Sequence, residues 1–177
     1  MRTYTRARTP GGCYFFTVNL AHRHENDLLV RHIANLREAF RRTRSEHPFA
    51  IDGIVILPDH LHCIWRLPEG DSNFPMRWRL IKTRFSQSLP VGEGITDSRA
   101  RKGERGIWQR RYWEHVIRDE RDHRAHMDYI HFNPVRHGHV ATVRDWPYSS
   151  FHRCVRLGMY PDDWGAAHAD AGLATGE

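Results

Sequence analysis

Apolar and polar positions alternate most sharply along Pro58-Asp59-His60-Leu61-His62-Cys63-Ile64-Trp65-Arg66-Leu67. At strand period two, Leu61, Cys63, Trp65 and Leu67 share one face, and His60, His62, Ile64 and Arg66 share the other. An all-apolar alternate face buries readily, and a one-residue slip would expose all of it, so the register is well fixed. Cys13 to Leu20, aromatic and β-branched after the turn Pro10-Gly11-Gly12, reads as a strand. Phe49 to Leu57 is an apolar run broken by Asp52-Gly53, and the short link Pro58-Asp59 predicts antiparallel pairing with the histidine strand. Ile107 to Ile117 reads as a further strand region, with a bend.

Helical spacing appears in three places. Leu29, Ile33, Leu36, Ala39 and Phe40 predict a helix over about 26–45, ended by His47-Pro48. Pro75 to Leu89 predicts a second, with Met76, Leu80, Ile81 and Phe85 as its core stripe and Arg77, Arg79, Lys82 and Arg84 left for solvent or phosphate. Asp119 predicts the cap of a third, with Asp122 at its positive end and Pro134 stopping it after about Asn133. Residues 90–106 are Gly- and charge-rich and read as a mobile loop, whereas Trp146 to Phe151 is apolar enough to pack back on the body. The expected organisation is a basic arm over 1–10, one catalytic domain over 11–160 and a disordered tail over 161–177, where Lys and Arg disappear beyond Trp164.

Composition narrows the class. No run of about eighteen apolar residues codes a membrane span, and the first residues lack the apolar stretch of a signal peptide. Cys13, Cys63 and Cys154 are odd in number and dispersed, which argues against a disulfide framework or a zinc–thiolate site and fits a reducing cytoplasm. Lys plus Arg number 27 against 21 acids, for a net charge of +6, and lysine occurs only at Lys82 and Lys102. Arginine's planar fork suits phosphate and stacks on bases, so nucleic acid is the leading partner class. Arg2, Arg6 and Arg8 on the arm carry no acid among them. Arg110 and Arg111 stand among Trp108, Tyr112 and Trp113 in the manner of a single-strand-binding surface, or of an edge strand with core tryptophans.

The candidate chemistry starts from the histidines. His-x-His spacing occurs at His22/His24, His60/His62 and His137/His139, but only His60/His62 lies in a strand pattern that would hold both rings on one face. On the third helix Ala125, Tyr129 and Asn133 lie four apart, on one stripe. Tyr129 offers a phenol nucleophile, or a packing aromatic; Asn133 offers an amide oxygen, or a helix C-cap. Together His60, His62 and Asn133 make a mixed N/O ligand set suited to Mg²⁺ or Mn²⁺, beside one nucleophile.

Several motifs occur in order: Pro10-Gly11-Gly12, Leu57-Pro58-Asp59-His60-Leu61-His62, Trp108-Gln109-Arg110-Arg111-Tyr112-Trp113-Glu114-His115 and Ile117-Arg118-Asp119-Glu120. Tyr129-Ile130-His131-Phe132-Asn133-Pro134 and Trp146-Pro147-Tyr148-Ser149-Ser150 follow them. From about Thr9 to Phe151 the chain resembles the REP-associated tyrosine transposases, a domesticated branch of the single-tyrosine HUH transposases. The resemblance implies an α+β, ferredoxin-like domain with a central antiparallel sheet and packed helices. It also implies His60 and His62 as metal ligands, Tyr129 as nucleophile and Asn133 as third ligand. The implied activity is cleavage and rejoining of single-stranded DNA at repetitive extragenic palindromic hairpins through a 5′-phosphotyrosine. Single-stranded or hairpin DNA is then the partner, with no membrane, no small-molecule cofactor, a monomer favoured, and a nucleoid-associated place in the cytoplasm. Two rivals are a DNA-binding protein of the same fold without catalysis and a metal hydrolase that activates water. Asp59, where relatives often have Asn, and His22-Arg23-His24 depart from the family pattern; neither is expected to touch the chemistry, though either could alter the choice of DNA.

Overall fold

The computed structural model describes residues 8–92 and 97–166. Its centre is a four-stranded antiparallel sheet of β1 (Cys13–Asn19), β2 (Ala50–Ile56), β3 (His60–Arg66) and β4 (Trp113–Val116), in the order β2-β3-β1-β4. Helices α1 (Leu28–Arg31) and α2 (Ile33–Glu46) connect β1 to β2, and α3 (Phe74–Gln87) lies between β3 and β4. That β-α-β-β-α-β order is the ferredoxin-like one the motifs implied. The turn α4 (Asp97–Ala100) precedes β4, and α5 (Glu120–Arg136) and α6 (Phe151–Arg156) follow it. Among the described residues no helix is long and apolar enough to cross a membrane.

Strand alternation divides the molecule into two halves. Tyr14, Phe16, Val18, Leu61, Cys63 and Trp65 point to one face, are fully buried, and pack against α2 and α3. Trp65 and Trp78 stack there with centroids 4.2 Å apart and 18° between planes. Phe15, Thr17, Asn19, His60, His62, Trp113 and His115 occupy the other face in the pairings Asn19↔His60, Thr17↔His62, Thr17↔Trp113 and Phe15↔His115. Helix α5 covers this second face, so β3 is buried on both sides except at Arg66.

Four local readings are corrected. The first predicted helix is two, because His32 departs from helical geometry (φ −111°, ψ 37°) although its N–H still reaches the Leu28 carbonyl. The buried stripe of α3 is Phe74, Trp78, Ile81 and Phe85, with Met76 and Leu80 only half-buried, because the helix begins at Phe74, capped by the Asn73 side chain. Arg77 is 2% exposed, not left for solvent. Its guanidinium donates to Asp71 at 2.6 Å and to the carbonyls of His47, Pro48 and Asn73, fixing the α2–β2 corner. Finally, α5 passes through Pro134 to Arg136 and does not stop at Asn133. Proline deletes one N–H within the last turn, and that turn is closed by Gly138 at φ +71°, whose N–H donates to the Val135 carbonyl while His139 N–H donates to that of Pro134.

Two contacts seat α5. A Cβ at Gly53, beside the β2 bulge, would lie 2.5 Å from Met127 Sδ, so the glycine sets how closely helix and strand approach. Trp146 Nε1 donates to the Ile56 carbonyl at 3.0 Å, bringing the predicted Trp146–Phe151 segment back onto the sheet. Trp164 packs on Phe132, Phe151 and Tyr160, so the ordered body extends beyond residue 160; residues 167–177 lie outside the described residues.

Candidate active site

Asp119 starts the construction. Its Oδ1 accepts the Asp122 N–H at 2.8 Å, which sets the phase of α5 so that Tyr129, Asn133 and His137 form one stripe toward the sheet. The Tyr129 ring lies 5.1 Å from that of His62, and the His137 ring lies 5.3 Å from that of His60. Asn133, one turn from each, therefore faces the gap over the histidine pair. The two histidine rings are 5.0 Å apart and nearly perpendicular.

Hydrogen bonds orient both imidazoles. His60 Nδ1 lies 2.6 Å from Asp59 Oδ1, and Arg23 Nε donates to the other carboxylate oxygen at 2.6 Å. Burial would raise the Asp59 pKa, but the bonds from His60 and Arg23 hold it below the usual carboxylate value. An ionised Asp59 accepting from Nδ1–H leaves the His60 lone pair on Nε2. On His62, Nδ1 lies 2.8 Å from Thr17 Oγ1, its partner across the β1–β3 ladder. Burial pushes the His62 imidazole down to about 3, with the neighbouring His60 acting in the same direction, so the ring is neutral at pH 7.

Some of the unsatisfied buried atoms among the described residues lie here, as others do elsewhere. His62 Nε2, Asn19 Oδ1 and both amide atoms of Asn133 are buried without a hydrogen-bond partner. Asn133 is 0% exposed, and only its backbone carbonyl caps the helix end, accepting from His137 N–H. Leaving such groups unpaired costs about 1–3 kcal/mol each, and a divalent cation would use His62 Nε2 and Asn133 Oδ1. Neutral imidazole nitrogens and an amide oxygen therefore fit the expected ion. Two other groups among the described residues, Cys13/Asp52/His123 and His115/Asp122/His126, have ligand atoms within 4.8 Å of one another. Both are already closed by internal bonds: Asp52 accepts from Arg66 and His123, and His126 Nδ1 donates to the Asp122 carbonyl.

Access is on two sides. Tyr129 is 38% exposed, with the Arg136 guanidinium 5.7 Å from its ring centre. A cavity of about 400 Å³ opens beside His60, lined among others by Arg23, Asn26, His137 and His139. Arg23 and Asp59 thus belong to the site, contrary to the expectation that they stand clear of it. The signal available in the sequence was the acid directly before His60. In sequence, His137 counts only as half of a His-x-His pair centred on Gly138, outside any strand pattern; Asn19, Thr17 and Arg136 have no role there, since each needs strand register or helix phase to be placed. Of the basic candidates, Arg8 and Arg111 are exposed, Arg110 is paired to Glu104 at 2.9 Å, and Arg2 and Arg6 lie outside the described residues.

The site thus combines two oriented histidines on a ferredoxin-like sheet with a half-exposed helical tyrosine opposite them. No family model matches the chain. It is 47% identical over 166 residues to a protein of Haemophilus influenzae assigned as a REP-associated tyrosine transposase, covering 93% of this chain and 94% of that one. It is 46% identical over 164 residues to the REP-associated tyrosine transposase of Escherichia coli K12, covering 93% and 91%. A solved structure of a REP-associated tyrosine transposase bound to a REP hairpin superposes with a TM-score of 0.80 at 46% identity, over 93% of this chain and 91% of that one. The chain belongs to the REP-associated tyrosine transposase family.

Proposed function

We propose that this transposase cleaves and rejoins single-stranded DNA beside REP hairpins, with Tyr129 as its nucleophile. The observation that carries the reading is the placement of Tyr129 against His62 above a cluster of buried, unpartnered polar atoms. The hairpin comes from the structural relative, which was solved with one.

In the forward step the Tyr129 phenolic oxygen bonds to the scissile phosphorus and the P–O3′ bond breaks. The phenolic proton leaves to solvent at the exposed side, and the departing 3′ oxygen takes up a proton. The products are a 5′-phosphotyrosine and a free 3′-hydroxyl. Because the phosphotyrosyl bond keeps the diester's energy, rejoining needs no nucleotide cofactor. His60, His62 and Asn133 would hold Mg²⁺ or Mn²⁺, which when bound polarises a phosphoryl oxygen. Asp59 and Thr17 keep the two imidazoles turned to present Nε2. Arg136 places positive charge beside the nucleophile, and Arg8, Arg110 and Arg111, with Arg2 and Arg6 on the arm of residues 1–10, supply phosphate contacts. All four core side chains come from one chain, so a monomer acting at the nucleoid suffices.

The test is a labelled hairpin oligonucleotide with a single-stranded flank, incubated with protein and Mn²⁺ and resolved on a denaturing gel. A protein–DNA adduct is expected with the flanked hairpin and not with perfect duplex. Cleavage without adduct would replace this reading with hydrolysis by activated water, and equal cutting of duplex would remove the single-strand requirement.

A further inference from the structure

Trp113 is a large apolar side chain that the chemistry above leaves unused. It is 52% exposed on the edge strand β4, yet it is not loose. Its ring is parallel to that of His115 (4° between planes, centroids 5.9 Å apart), and His115 is in turn stacked on His126 at 4.8 Å. Asp122 holds this column. Its Oδ2 lies 2.8 Å from His115 Nε2 and accepts the Arg118 N–H, while His126 Nδ1 donates to its carbonyl at 2.8 Å. Burial alone would raise the Asp122 pKa, but the His115 and Arg118 bonds hold it well below the usual carboxylate range. Phe15 joins the column to the reacting centre, with its ring 5.7 Å from Trp113, 4.6 Å from His126 and 5.9 Å from Tyr129.

Register places the outer end of this column. Trp113 pairs with Thr17, and Thr17 pairs with His62, so Trp113 and His62 stand in one row on one face of the sheet. Two strand spacings separate them, about 10 Å. That is within reach of a base whose own strand has a phosphate over His62 and Tyr129. A core tryptophan would be covered on both faces; this one is backed by His115 and remains half open to solvent. The exposed Arg111 is two residues before it.

We infer that Trp113 is a stacking platform for an unpaired nucleobase about one or two nucleotides from the scissile phosphate, orienting the strand for attack by Tyr129. The inference rests on the single-strand reading above and adds a binding residue to it. Stacking on an aromatic face is tolerant of base identity, so the platform positions the strand and does not read its sequence.

Equilibrium binding tests it without any cleavage step. A series of hairpins carrying one abasic nucleotide at each position of the single-stranded flank is titrated against wild type, Trp113→Ala and Trp113→Phe. Wild type should lose about tenfold in affinity at one flank position, within the range for single base–aromatic stacks. Trp113→Ala should bind the intact flank about tenfold more weakly and show no further loss at that position. Trp113→Phe should keep part of the sensitivity, which separates stacking from a structural defect. An abasic profile of Trp113→Ala superimposable on that of wild type would overturn the platform alone. A wild-type protein that binds no hairpin would overturn the hairpin reading and the platform with it.

Discussion

The two faces of the sheet are made by the same strands and do opposite things. Behind the sheet, Leu61, Cys63 and Trp65 alternate with His60, His62 and Ile64 and sit in an aromatic core with Phe16, Phe74, Trp78 and Phe85. In front, α5 lies over the strand that carries His60 and His62, and polar atoms of His62, Asn19 and Asn133 are buried without partners. Unpartnered buried groups occur on both faces, the indole N–H of Trp65 and of Trp78 behind the sheet and His62 Nε2 and the Asn133 amide in front; what separates the faces is that the front ones include atoms of the kind that ligate a metal. One strand serves both because its side-chain period is two. Separating the two roles by mutation is the clearest way to challenge this division.

The largest expected effect is on the front. Tyr129→Phe removes one hydroxyl from a side chain that is 38% exposed. Covalent adduct should vanish entirely, while hairpin binding and the melting temperature stay within error of wild type. Adduct persisting in Tyr129→Phe would move the nucleophile to another tyrosine and detach the helix stripe from the chemistry.

Behind the sheet the pattern should reverse. Trp65 is fully buried and in contact with Trp78, Phe49 and Phe16. Trp65→Ala should cost about 3–5 kcal/mol in denaturant unfolding, and the surviving folded fraction should cleave with an unchanged Mn²⁺ requirement. A raised metal requirement would show that the core transmits strain to the histidines, and the division into two faces would fail.

The aromatic face was the more legible of the two in sequence. Alternation along 58–67 gave its residues and its register, because burial of an apolar row is a local pattern. The histidine pair, Tyr129 and Asn133 were legible because fixed spacing puts them on one strand face and one helix stripe, and the family motifs joined the two. What sequence alone did not deliver was anything requiring the two elements to be docked. Arg23 reaches Asp59 across 36 positions, and Thr17 reaches His62 across 45. Arg77 reads in sequence as free for solvent or phosphate because its partners are three carbonyls, at 47, 48 and 73, and one carboxylate at 71, none of which marks a charge as buried. Pro134 was read as a stop because the rule concerns interior proline, whereas here the helix ends two residues later in any case.

A pH series sharpens the comparison on the α5 side. Burial pushes His131 down to about 4; its Nε2 lies 2.9 Å from Ser150 Oγ, which also accepts the Ile54 N–H. The folded pKa is below the unfolded value of 6.5, so the unfolded chain binds the proton first. The contribution is therefore complete above about 6.5 and is lost progressively as pH falls toward 4, with a slope up to about 1.4 kcal/mol per pH unit for one proton. Denaturant midpoints measured from pH 7 to 4.5 should fall in wild type and fall less steeply in His131→Asn. Trp65→Ala should lower the whole curve and leave its slope alone. An unchanged slope in His131→Asn would assign the acid limb to other groups.

The smallest expected change in stability belongs to Asn133, where the two faces make opposite predictions for the same kind of substitution. Its amide is fully buried, and neither Oδ1 nor Nδ2 has a partner, so in the metal-free protein it carries a desolvation cost with no return. Asn133→Leu is close in size and removes that cost. If the residue were there to pack or to cap the helix, the change would destabilise. The helix end is instead held by backbone bonds from His137, Gly138 and His139, which leucine leaves in place. Metal-free Asn133→Leu should therefore melt at or slightly above the wild-type temperature, by up to about 1 kcal/mol of added stability. Adding Mn²⁺ should raise the wild-type melting temperature, because an ion that binds only the folded state stabilises it. The rise in Asn133→Leu should need a higher Mn²⁺ concentration, as should cleavage. A variant that melts lower without metal, and whose Mn²⁺ titrations overlay those of wild type, would return Asn133 to the core and leave the histidine pair to complete its ion with water and DNA.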